Sequence, residues 1–89
     1  MLDRIKLTAV EQLNLPKDVV LGETLVTMLG RYSVVVENYR GILVYNDSMV
    51  KLQGKNYRLS ICGKRLRIEY YNHDEMKITG QISSVEFGD

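Results

Sequence analysis

Tryptophan is absent from this 89-residue chain, and cysteine, proline, histidine and phenylalanine each occur once. The lone Cys62 cannot close an internal disulfide, which excludes a disulfide-stapled core and points to a reduced, cytosolic setting. It stands just before Gly63, where it is expected to end a strand and be buried as a small hydrophobe. The lone His73 sits beside Asp74 and Glu75, with Asp47 in a separate turn. A metal needs several ligands converging, so this stretch reads as turn and solvation rather than as a ligand set. The sequence shows no Cys–His or Ser–His–Asp set, no glycine-rich phosphate loop and no acid pair at a catalytic spacing. The expectation is therefore no enzyme, no metal and no cofactor. No apolar run reaches the roughly 20 residues needed to cross a bilayer, and no leader pattern is legible.

What is present is regular punctuation. Breaks fall at Gly30, Asn38–Gly41, Asn46–Ser48, Gly54–Asn56, Gly63, Asn72–Asp74 and Gly80. Glycine and asparagine tolerate positive φ, and asparagine and aspartate bond their own backbone, so these clusters suit turns. The runs between them are about 5–7 residues, the length of a strand. The expected fold is mainly β, with short antiparallel strands in a curled meander, sandwich or small β-roll. Gly41, after Asn38-Tyr39-Arg40, is expected at positive φ in a tight hairpin.

Alternation sharpens this along the chain. Tyr57, Leu59 and Ile61 oppose Arg58 and Ser60; Leu66, Ile68 and Tyr70 oppose Arg65, Arg67 and Glu69; Met76, Ile78 and Ile82 oppose Lys77, Thr79 and Gln81. Such strands have one dry and one wet face. Leu25–Leu29, Val34–Val36 and Ile42–Tyr45 are instead apolar on both parities. They are expected to be covered on both faces, by another layer or by a partner chain. Residues 1–14 differ: Leu2, Ile5, Ala9 and Leu13 recur at helical spacing, and Pro16 disfavours helix at Leu15. The division is an amphipathic helix over residues 1–14 and a single β-domain over residues 15–89.

The formal net charge is +1, but residues 48–68 carry Lys51, Lys55, Arg58, Lys64, Arg65 and Arg67 and no acid. Lys51, Arg58, Lys64, Arg65 and Arg67 are candidates for a basic interaction face, able to attract polyanion or anionic lipid. Balance by nearby acids such as Glu69 and Glu86 is the plainer reading, and the lack of an aromatic ladder argues against nucleic acid. Val35, Tyr39 and Tyr71 are candidates for a protein interface, the tyrosines because exposed rings anchor interfaces well. A homo-oligomer built through the doubly apolar strands is also expected.

Several stretches resemble the YabP/YqfC family of sporulation proteins, and the YqfC-like branch more than the YabP branch. They are Leu15-Pro16-Lys17-Asp18-Val19, the Gly22–Gly30 segment, Val36-Glu37-Asn38-Tyr39-Arg40-Gly41-Ile42, Gly63-Lys64-Arg65-Leu66-Arg67-Ile68, Asp74–Ile82 and Val85-Glu86-Phe87. Gly22-Glu23-Thr24 stands where many YqfC-like chains have Leu-Pro-Arg. The resemblance runs from Leu15 to Phe87. It implies a non-enzymatic role in endospore formation in the mother cell of a Gram-positive spore-former. It further implies a protein–protein adaptor for a membrane-bound sporulation protein of the YqfD type, lying at the mother-cell side of the forespore membrane. No established functional residues come with it.

Overall fold

The computed structural model describes residues 22–88. The helix expected over residues 1–14 lies outside the described residues. Among the described residues six strands form one antiparallel sheet: β1 (Leu25–Leu29), β2 (Ser33–Glu37), β3 (Gly41–Tyr45), β4 (Met49–Gln53), β5 (Arg58–Tyr71) and β6 (Glu75–Gly88). Their order across the sheet is β1-β2-β6-β5-β4-β3. The fold is mainly β, as the alternation predicts.

The frame is the long β5–β6 hairpin. Its tip half (Arg67–Tyr71 with Met76–Thr79) carries β2 on the β6 side, and β1 beyond it. Its open half (Arg58–Cys62 with Ser84–Gly88) carries β4 on the β5 side, and β3 beyond that. A straight arm from Arg58 to Tyr71 would run about 43 Å. Yet the link from Glu37, beside Glu75 at the tip, to Gly41, beside Gln53 and Arg58 at the open end, covers four residue steps. Such a link reaches at most about 14 Å, and strand spacings of about 5 Å do not make up the difference. The hairpin therefore folds back on itself, and the sheet becomes two layers.

The fold-back sits where the register breaks. Ser83 is extra between the Cys62–Ser84 and Gly63–Ile82 pairs, and Arg65 and Leu66 together oppose Gly80. Bulges of this kind bend a strand and raise its twist. A Cβ on Gly63 would stand 2.0 Å from the Gln81 carbonyl oxygen, and one on Gly80 2.6 Å from that of Arg65, with Gly80 at φ 143°. Only glycine fits at either place. Two hairpin turns are fastened there. Gly80 and Ile82 donate backbone N–H groups to the carbonyls of Tyr32 and Arg31, while Gly63 and Leu66 donate to those of Ser48 and Asp47.

Between the layers lies the core. Val34 and Val36 from β2, and Met76 and Ile78 from β6, face Val50 and Leu52 from β4 and Leu59 and Ile61 from β5; Leu66 and Ile82 fill the bend. Each fully buried side chain of this size is worth about 1.5–3 kcal/mol. None of the ten comes from β1 or β3.

Four expectations are corrected. Gly63 and Gly80 do not end strands: they are bends inside two strands of 14 residues each. Cys62 accordingly neither ends a strand nor is buried, being half-exposed within β5. Asn38–Arg40 is no hairpin, since β2 and β3 do not pair; it crosses from one layer to the other, and the left-handed residue is Asn38 at φ 66°, not Gly41. Tyr70 is not on the dry face. A third irregularity, at Glu69, inverts the parity, so Tyr70 opposes Lys77 outside while Tyr71 opposes Met76.

Gly63→Ala and Gly80→Ala should each cost at least about 2–3 kcal/mol in urea denaturation, because backbone must move to admit the methyl. Gly41→Ala, where a Cβ meets nothing within 4 Å, should stay within about 0.5 kcal/mol of wild type.

Candidate functional site

Among the described residues β3 ends the sheet on one side, so one row of its backbone N–H and C=O groups has no neighbouring strand there. Its side chains do nothing to discourage pairing. Ile42, Leu43, Val44 and Tyr45 are 39%, 47%, 36% and 50% exposed, four apolar residues in succession. Native edges are commonly blunted by lysine, proline or a covering segment. Among the described residues a bulge between Ile42 and Val44 is the one such device at this edge. Tyr45 closes its end by accepting a hydrogen bond from the Ile68 N–H on its phenolic oxygen, at 3.1 Å.

β1 ends the other side. Val26 packs on the core, while Leu25, Met28 and Leu29 are exposed. The covering layer expected over both strands is not found among the described residues. Apart from Val26, the apolar side chains of β1 and β3 are exposed among the described residues. Val35, flanked by Thr27 and Lys77 on the outer face of β2, is half-buried.

Tyr39 reaches the hairpin tip, on the same side of the molecule as Tyr71. The Tyr39 hydroxyl donates to the Asn72 carbonyl across the fold-back. Burial pushes the Tyr39 phenol above its ordinary pKa of 10.0, and the charges of Tyr71 and Asp74 add to this. The neighbouring Tyr70 phenol is also raised, first by its hydrogen bond to Glu75. The tip turn is built by Asn72, whose Oδ1 accepts from the N–H groups of Asp74 and Glu75. Asn46 makes the same Asx turn between β3 and β4, accepting from the Ser48 and Met49 N–H groups.

The basic candidates are divided by the bend. Arg58, opposite Gln53 and Gly88, and Lys51, opposite Ser60, lie on the outer face of the open half. Glu86, also opposite Ser60, shares that face. Arg67 lies opposite Thr79 on the other layer, Lys64 opposite Gln81 at the bend, and Arg65 in the bulge at φ 52°. Arg58, Arg65 and Arg67, expected to share one basic face, are all on β5 and are separated by the bend. Among the described residues none of these five side chains makes an ion pair, while Lys77 pairs with Glu69 at 3.3 Å.

Sequence reasoning missed Arg31. It lines three adjoining clefts at the bend: one of ≈ 240 Å³ with Tyr32 and Gln81, one of ≈ 260 Å³ with Gly63, Lys64, Gln81, Ile82 and Ser83, and a more apolar one of ≈ 420 Å³ running from Met28 to Ser83–Val85. No signal in a single chain brings Arg31 to Lys64, because they meet through the pairing of β2 and β5 on either side of β6 at Gln81–Ile82. Among the described residues no group of three His, Cys, Asp or Glu side chains could hold a metal ion. No helix there is long and apolar enough to cross a membrane.

Comparison with known proteins bears on what such a sheet belongs to. The YabP family model matches residues 21–89. The chain belongs to the YabP family. It is 31% identical over 85 residues to the uncharacterized protein YqfC of Bacillus subtilis (strain 168), covering 96% of this chain and 91% of that one. No solved structure matches. The family is sporulation-associated and is not a known enzyme family. Within the YabP-family segment lie all six strands, both apolar edges and the bend.

Tyr39→Phe should lower stability by about 0.5–1.5 kcal/mol, the net worth of one hydrogen bond. A raised phenol pKa means that the contribution is fully present below pH 10 and is lost as pH rises through the folded-state value. Urea unfolding at neutral and at strongly alkaline pH should therefore show a smaller alkaline loss in Tyr39→Phe than in wild type.

Proposed function

We propose that this YabP-family protein is a non-enzymatic adaptor of endospore formation, acting in the mother-cell cytoplasm at the forespore membrane. In this reading β3 receives an extended apolar segment of a membrane-bound sporulation protein of the YqfD type. The observation that carries it is the β3 edge, where an unpaired backbone row, among the described residues, and four successive exposed apolar side chains coincide. Main-chain hydrogen bonds would supply affinity there and the alternate side chains specificity, as in other cases of strand addition. The family's association with sporulation supplies the setting.

The doubly apolar edges also favour a second reading, in which a second copy of this chain takes the same place. A polyanion- or nucleic-acid-binding module is less well supported, because the bend puts Lys51 and Arg58 on one layer and Arg67 on the other.

Affinity purification from sporulating cells tests the adaptor. The wild-type chain should recover the YqfD-type membrane protein. Val44→Lys, a charge on the outer side of the open edge, should lose it with stability changed by less than about 0.5 kcal/mol. Undiminished recovery by Val44→Lys would remove β3 from the interface. If light scattering shows a dimer that the substitution dissolves, and no membrane protein is recovered, the self-association reading takes its place.

A further inference from the structure

The turn joining β1 to β2 has a composition that the adaptor reading leaves unused. Leu29 and Tyr32 are each 72% exposed, the highest values among the large hydrophobic side chains described. They flank Gly30 and Arg31. The turn is closed by a hydrogen bond from the Tyr32 N–H to the Leu29 carbonyl, and the Tyr32 ring lies over Gly30. It is held to the bend by the bonds from Gly80 and Ile82 to the carbonyls of Tyr32 and Arg31. These two apolar tips are thus presented on a fixed element.

Directly beside them the Arg31 and Lys64 side chains line one cleft of ≈ 260 Å³ with Gln81, Ser83, Gly63 and Ile82. Among the described residues the lining contains two cations, an amide and a hydroxyl, and no acid. Among the described residues neither cation has an ion-pair partner. Asp47, held against the other strand of the bend through its carbonyl, makes no ion pair with Lys64 or Arg65. A guanidinium and an ammonium converging on a polar cleft suit a phosphate group.

We propose that this end of the molecule docks on an anionic phospholipid surface, with Leu29 and Tyr32 at headgroup depth and Arg31 and Lys64 holding a lipid phosphate. The pairing of features selects this occupant. A free phosphate has no use for two apolar tips, and a nucleic acid strand would call for an aromatic series rather than one tyrosine. Tyrosine and leucine beside basic residues match an interface where an apolar interior lies beneath a charged layer. The site is separate from the β3 edge, so the two readings fail independently.

The test is co-sedimentation of the full-length chain with vesicles of phosphatidylcholine alone and of phosphatidylcholine with phosphatidylglycerol. Binding should require phosphatidylglycerol and weaken with added salt. Each cation near such a surface is worth roughly five-fold in affinity, so Arg31→Glu with Lys64→Glu should lose more than tenfold. Leu29→Ser with Tyr32→Ser should also weaken binding, while Arg58→Glu, on the outer face of the open half, should leave it unchanged. Circular dichroism confirms that each variant is folded, and Arg31→Gln with Lys64→Gln serves if the glutamates unfold the chain. Equal binding to both vesicle types, no binding to either, or an equal loss in Arg58→Glu would overturn the proposal. So would calorimetric binding of inorganic phosphate alone with no attachment to vesicles.

Discussion

The close approach of Gly63 to the Gln81 carbonyl, with Gly80 against Arg65 on the other strand, is the constraint on which the molecule depends. At these points the two longest strands draw together more tightly than any side chain allows. The resulting bend turns one six-stranded sheet into two facing layers. Without it β2 and β4 would lie at opposite ends of a ribbon, and Val34 and Val36 would have no counterpart in Val50 and Leu52. A chain this short buries only about 60–65% of its unfolded surface, so the ten-residue core leaves little reserve.

The same geometry decides what remains open. Folding the hairpin places β2, β4 and the two halves of β5–β6 inside and leaves β1 and β3 as outer strands. These two carry apolar residues on both parities and contribute none of the fully buried side chains. A sheet that exposes its most hydrophobic strands at its edges is open to contact with another segment, and that is the physical basis for the proposed adaptor. Strand pairing on either side of β6 also gathers residues far apart in sequence, setting Arg31 and the Leu29–Tyr32 turn beside Lys64.

Much of this was legible in the chain. Leu59, Ile61, Leu66, Met76, Ile78 and Ile82 were placed inside by period-two alternation, and all are buried. Asn46 and Asn72 were read as turn formers and act through their Oδ1 atoms. Gly63 and Gly80 were equally visible, but a glycine that closes a turn and one that lets two backbones meet look alike in sequence. Gly41 misled for the same reason, since its neighbour Asn38 takes the left-handed conformation. The irregularity at Glu69, which exchanges the faces of Tyr70 and Tyr71, leaves no compositional trace. Arg58 and Arg67 read as parts of one face because parity says nothing of a bend between them. The family was legible from the order and spacing of many weak motifs rather than from any strong one.

Amide hydrogen exchange of the free chain, read residue by residue, bears most directly on the fold-back. The Asn38 N–H bonds to the Asp74 carbonyl at the tip and the Arg40 N–H, two residues on, to the Gln53 carbonyl at the open end, and both bonds form together only when the hairpin is folded back. These two should be protected along with the amides of Ile61 and Ile78 in the core strands. If they exchange at the rate of open turns while Ile61 and Ile78 stay protected, the long hairpin is not closed on itself and the two-layer account is wrong.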